Sequence, residues 1–442
     1  MKRTRKSNGT LETLLVVGLI LIIPLFFVMN SAADKNAAAN TPVSIPPTAA
    51  NAPEDSNTMK PQQPPACAFP LAQTTTEEST PEEYTFSEPQ VVYTPAPDDS
   101  SVGIVGWLPN NQQVLVVQDI KGVNKQTIEL FDPATGERKV YAKRERIDEP
   151  PIWLSGLDAV VYPAMNVLGF DETKHKYKFT RQVRVSYGNP DEEELIADNL
   201  PRFLVTGKPD GDQITYFSDK QIFKKNKALK ALSSASFDLT QWDYRHQESG
   251  EMQIPYKMAW RPGTSQILFY TYAFSGFGYT YLLDTDTGKI CELNLDGWAF
   301  SAQWSPNGRY LAIVRAQEPY FPVRSTDLAV IDTATGNLYT MGVVPHEKAG
   351  RYYVGDIAWA PDNLHLLAIG AVASHPGCGT DCFEDNRLYL VDFLSGQVND
   401  ILPDREFNVG NPGTSLAWSP DGSKIIAMCP PRCLISVQTN GQ

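Results

Sequence analysis

"AWSPDGSKII", residues 417–426, reads as a tight turn between two strands. Proline presets φ at the first turn position, Asp and Gly accept the conformations that follow, and an apolar strand begins at once. The chain repeats this wording. "QWSPNGRYLAIV" starts at Gln303, "AWAPDNLHLLAI" at Ala358, "AWRPGTSQILFY" at Ala259 and "GWLPNNQQVLVV" at Gly106. "TGKPDGDQITYF" from Thr206 lacks the tryptophan, and "IWLSGLDAVVYP" from Ile152 lacks the proline. The anchors Trp107, Trp153, Gly207, Trp260, Trp304, Trp359 and Trp418 are 44 to 59 residues apart, a period that marks a repeat architecture.

A second turn recurs inside each unit. In "IELFDPATGE" (128–137), "YLLDTDTGK" (281–289), "LAVIDTATGN" (328–337) and "LYLVDFLSGQ" (388–397), an apolar strand runs into Asp, reaches Gly and turns back. Each unit is therefore strand, Pro-Asp-Gly turn, strand, loop, strand, Asp-Gly turn, strand. Four antiparallel strands per unit make a propeller blade, so the fold class is an all-β propeller.

The W-S-P-D-G turn followed by V-D-x-x-T-G resembles the WD40-like (PD40) repeat of TolB-type β-propellers, which also occurs beside prolyl oligopeptidase-type hydrolases. The similarity covers about residues 84–442 and is clearest at Trp304 and Trp418. It is weaker in the second and third units, where "VLGFDETKHKYKFTRQVRVSYGNPDEEEL" keeps strand-like runs and loses the turn wording. The resemblance implies a rigid scaffold that binds other proteins of the cell envelope.

After "CLISV" the chain ends in "QTNGQ", so the last blade has no fourth strand of its own. "YTFSEPQVVYTP" (84–95) is the candidate to supply it and close the ring. The expectation is seven blades over residues 83–442, with six as the fallback.

Ahead of the ring, "MKRTRK" lies in a basic segment, residues 1–12, and "TLLVVGLILIIPLFFVM" (13–29) contains no charge. Seventeen apolar residues just reach the length of a membrane-spanning helix, and the basic flank places the N-terminus in the cytoplasm and the propeller outside. The rival is a signal peptide cleaved after Ala33, with Ser31 and Ala33 as the small residues; the protein would then be secreted. Residues 30–82 are rich in Pro, Ala, Thr and Glu and read as a disordered tether with a reach of roughly 40 Å.

Six cysteines fit an oxidising compartment. Cys378 and Cys382, and Cys429 and Cys433, are close pairs read as local disulfides, with a four-thiolate zinc site as the alternative. Cys67 and Cys291 either pair or stay free.

A net charge of −13 opposes nucleic-acid binding. No G-x-S-x-G elbow or H-E-x-x-H motif occurs, and "DTDTG" (284–288) reads as a hairpin turn, not a calcium loop. No cofactor is expected. The repeated tryptophans read as packing between neighbouring blades. Tyr320 and Phe321, in a predicted inter-strand loop, are the candidate partner-binding residues. The functional expectation is a membrane-anchored, noncatalytic binding or scaffold propeller of the cell envelope with a protein partner. The alternative is a carbohydrate-active or hydrolytic propeller that uses loops around the central channel.

Overall fold

The computed structural model describes residues 64–441 except 72–82, 96–98, 121, 146, 148, 174, 203, 209–210, 212, 219–220, 226–234, 239–253, 274–275, 296, 317–325, 344–351, 374–382, 408–414 and 431. Residues 1–63, with the expected membrane helix, lie outside the described residues, as do the pair Cys378 and Cys382 and the pair Tyr320 and Phe321. Among the described residues no helix is long and apolar enough to cross a membrane.

The described chain is an all-β propeller of antiparallel blades. The first sheet has β3 (Asp99–Trp107), β4 (Val114–Ile120), β5 (Lys125–Phe131) and β6 (Arg138–Glu145). The second has β7 (Ile152–Leu154), β8 (Ala159–Asp171), β9 (Lys176–Ser186) and β10 (Glu193–Ala197). The third has β11 (Val205–Gly207), β12 (Ile214–Ser218), β13 (Gln221–Lys225) and β14 (Ala235–Asp238). The fourth has β15 (Ile254–Trp260), β16 (Gln266–Ala273), β17 (Gly276–Asp284) and β18 (Ile290–Leu293). The fifth has β19 (Trp298–Trp304), β20 (Tyr310–Ala316), β21 (Thr326–Asp332) and β22 (Leu338–Met341), and the sixth has β23 (Tyr352–Trp359), β24 (His365–Ala373), β25 (Phe383–Asp392) and β26 (Gln397–Asp400). These six sheets each have four strands in sequence order.

The remaining sheet joins the two ends of the domain. β27 (Leu416–Trp418) and β28 (Lys424–Cys429) lead to β29 (Cys433–Gly441), whose outer edge is covered by β1 (Tyr84–Phe86) and β2 (Gln90–Tyr93). Tyr84 pairs with Gly441 and Gln90 with Ser436, so residues 84–93 supply the missing outer strand. First strands pack on one another from β7 through β11, β15, β19, β23 and β27 to β3, while β6 meets β8. Middle strands such as β20 and β21 are buried along their whole length because a neighbouring sheet covers each face. The outer strand β22 is half exposed.

Turn geometry persists where the wording changes. In six of the turns that follow a first strand, the first loop residue bonds through its amide to the carbonyl five residues on, as Leu108 does with Gln113, Lys208 with Gln213, Ser305 with Tyr310 and Ser419 with Lys424. In five of these the fourth loop residue is left-handed, namely Asn111 (φ 57), Gly211 (φ 83), Gly308 (φ 70), Asn363 (φ 64) and Gly422 (φ 75), while in the fourth sheet the third, Gly263 (φ 66), takes that conformation. Asparagine therefore replaces glycine without loss of the turn. In the second turn the Asp carboxylate accepts the amide two residues on, in Asp132, Asp284, Asp332 and Asp392 alike. "DTDTG" has this same turn geometry.

Named bonds latch neighbouring sheets. Trp107 Nε1 donates to Ala417 O and Trp359 Nε1 to Gln303 O, in each case to the inner strand of the preceding sheet. At the same two junctions Asn111 Oδ1 accepts the Asp421 amide and Asn363 Oδ1 the Asn307 amide. Trp260 and Trp418 bond carbonyls of their own turns instead. Arg261 is fully buried and crosses from the fourth sheet to Gly308 O and Thr333 Oγ1 of the fifth, over the Trp304 ring. Asp356 accepts the Ser415 amide across the next junction but one.

Residues 64–71 depart from the linker expectation. Cys67 is bonded to Cys291, Ala66 bridges to Glu292, and the Leu71 amide donates to Thr333 O. Leu71 is buried and Phe69 packs on the Gly336 turn, so two apolar side chains, a disulfide and backbone bonds together seat this Pro-rich stretch. Cys429 and Cys433 are joined across the β28–β29 turn.

Candidate functional site

The two ends of the ring differ. One end carries the Pro-Asp-Gly and Asp-Gly turns and is tied by the Asn111, Asn363 and Arg261 bonds. The other end carries the loops between second and third strands and the connections from one sheet to the next. At this loop end, Glu149, Arg181, Pro201, Arg202, Leu204 and Tyr256 line a cleft of about 340 Å³.

Local structure positions each lining residue. Arg144 donates to Ile147 O and Glu149 O and to Pro163 O of the second sheet, which fixes the connection bearing Glu149. The Leu200 amide donates to Arg181 O and the Phe217 amide to Leu204 O, so Leu200 is held beside β9 and Leu204 beside β12. Tyr256 sits at the register shift between Pro255 and Lys257, a bulge that re-aims the side chain. Its ring meets Tyr270 edge-on at 6.2 Å. Burial and then the nearby Asp356 charge push the Tyr353 hydroxyl well up, so it stays a neutral phenol. Two guanidinium groups with one carboxylate and a phenol suit planar anionic groups such as a carboxylate side chain.

The second sheet adds a projection. β8 and β9 are far longer than their counterparts β12 and β13, and from Asn166 to Phe179 every residue whose burial is described is exposed. Val167, Leu168, Phe170, Tyr177 and Phe179 are among the exposed large apolar side chains, and Phe170 meets Tyr177 edge-on at 5.1 Å.

Among the expected residues, Trp260, Trp304, Trp359 and Trp418 are buried, and Trp107 and Trp153 half-buried, at sheet junctions away from the cleft. His365 is buried, with Nδ1 2.5 Å from Asp362 Oδ2. Burial opposes ionisation of Asp362, yet His365 and the amides of Leu364 and His365 hold its carboxyl below the usual range. Among the described residues no three His, Cys, Asp or Glu side chains converge as metal ligands would.

No protein-family model and no curated protein matches the chain. The TolB-type resemblance thus rests on the turn wording alone. Among solved structures, the β-propeller domain of Myceliophteria thermophila Cps50 (Swd1) is similar, with 11% identity and a TM-score of 0.49, over 79% of this chain and 98% of that one. A putative 6-phosphogluconolactonase from Bacteroides fragilis is similar with 12% identity and a TM-score of 0.42, over 76% of this chain and 90% of that one. At these values neither likeness carries an argument, and the fold rests on the strand order.

Sequence reasoning missed Glu149, Arg181, Arg202 and Tyr256. They come from four segments with no shared motif, and only the weak second and third repeats hinted that this side of the ring is unusual.

Proposed function

We propose that the protein is a membrane-anchored, extracytoplasmic binding propeller of the TolB type, noncatalytic, with a ring closed as seven blades. The observation that carries this reading is what the loop end presents. It carries the arginine-lined cleft and an exposed apolar arm, beside ties between sheets from Arg144 to Pro163 O and from Thr326 Oγ1 to Val354 O. Exposed aromatic side chains beside arginines have the composition of contact surfaces. The basic segment before the uncharged run 13–29 supports an anchor with the propeller outside, and the Cys67–Cys291 bond then ties that anchor's tether to the ring covalently. A crosslinking pull-down from native membranes, with mass spectrometry of bait and partner, tests this. An envelope protein recovered with bait that retains residues 1–33 is the expected result; a lone bait cleaved after Ala33 contradicts it.

A further inference from the structure

The arm formed by β8 and β9 has two unlike faces. Register pairs Val167 with Phe179 and Phe170 with Tyr177, so strand alternation puts these four on one face together with Arg181. Lys176 and Lys178 fall on the other face, and Leu168 is the extra residue at the shift between Val167 and Gly169. β7 pairs with 159–161 and β10 with 183–186, so among the described residues no strand of the sheet lies beside the outer part of the arm. Its bulge and its lysines disfavour pairing with another strand along those edges. What remains is an apolar face about 20 Å from the blade to the tip, with Arg181 at its base and, on the reverse face, lysines whose stems bend round the open edges.

We infer that this arm lies on an anionic lipid bilayer, with Val167, Leu168, Phe170, Tyr177 and Phe179 at the level of the headgroups and Lys176, Lys178 and Arg181 reaching lipid phosphates. Charge supports that occupant. Between 166 and 181 the sequence has four Lys or Arg residues against Asp171 and Glu172, in a chain whose net charge is −13, so the arm is a cationic island on an acidic protein. Aromatic rings with lysine stems that bend toward phosphate are the side chains that settle at a membrane interface. The chain outside the described residues supports it too, and this step rests on the proposed anchor. Under that proposal the chain from Met29 to Pro64, treated as a coil, would reach roughly 30 Å, which would keep a bilayer at hand and leave the arm needing only modest intrinsic affinity. Because Arg181 also lines the cleft, the loop end would then face the membrane, and a partner held there would itself lie at the bilayer surface.

The test uses the full chain carrying Leu168→Cys labelled with an environment-sensitive fluorophore, mixed with phosphatidylcholine vesicles with or without phosphatidylglycerol. The unsubstituted chain serves as the labelling blank. Flotation reads the anchor, and the fluorophore, with its quenching by nitroxide lipids, reads the arm. The expected result is blue-shifted, lipid-quenched emission that depends on phosphatidylglycerol, with the inserted-to-free ratio falling roughly fivefold for each of Lys176→Gln and Lys178→Gln. Floating chain with aqueous emission overturns the arm and leaves the anchor standing. Flotation and blue shift only with phosphatidylglycerol support the arm and contradict the anchor; no flotation and no shift overturn both. A shift in native membranes that pure vesicles do not reproduce, or one that grows with protein concentration without lipid, assigns the arm to a protein partner or a second copy and overturns the proposal.

Discussion

The sulfur of Cys67 is bonded to that of Cys291 on β18, with Cα atoms 4.8 Å apart and a sequence separation of 224. The chain ahead of the propeller is thus stapled to the rim of the fourth sheet before it travels on to close the ring at β29. With a specific protease site inserted at residue 75, cleavage should leave the N-terminal piece attached on a non-reducing gel and release it on reduction. Cys67→Ser should release it without reductant. Release from the unsubstituted chain without reductant would show that the bond does not form.

Tyr84 packs on Trp418, ring centroids 4.7 Å apart, where the N-terminal strand covers β29. Tyr84→Ala should cost about 2–3 kcal/mol in urea unfolding. Deletion of 84–93 should lower the midpoint further and broaden the transition, because the closing sheet loses its outer strand. An unchanged midpoint would mean the closure contributes nothing to stability.

Asn111 meets two demands, the left-handed backbone and the bond to the Asp421 amide. Asn111→Gly keeps the first and loses the second, and should cost about 1 kcal/mol. Asn111→Ala loses both and should cost more by about another 1 kcal/mol. Equal costs, measured by chemical denaturation, would remove the latch from the account.

Asp362 carries a depressed folded-state carboxyl pKa, and its ordinary value is 3.8. A depressed acid stabilises the fold above its unfolded pKa, and that contribution disappears as pH falls through the folded value. Stability of the native chain should therefore drop as pH is lowered below about 4, and Asp362→Asn should flatten that limb. Parallel acid limbs for the two proteins would contradict the assignment.

The repeat was legible because a Pro-Asp-Gly turn needs particular residues at particular φ values, and "AWSPDGSKII" spells them out. Closure by residues 84–93 followed from counting the strands before "QTNGQ". The pairing of Cys67 with Cys291 was left open, since the ring, not the local sequence, brings them together. The arm escaped notice because its alternation is ordinary strand wording, and only the lengths of β8 and β9 show that it outruns the blade. The cleft escaped it because the bulge at Tyr256 and the carbonyls that hold Glu149 leave no mark in residue type.

The most direct measurement is site-specific photo-crosslinking in native membranes, with the probe at Arg202 on the loop end and, as the comparison, at Thr287 in the β17–β18 turn. A discrete adduct with an envelope protein is expected from position 202, in the membrane fraction, and none from position 287. Equal labelling from both ends, or a chain found only in the soluble fraction without an adduct, would contradict it.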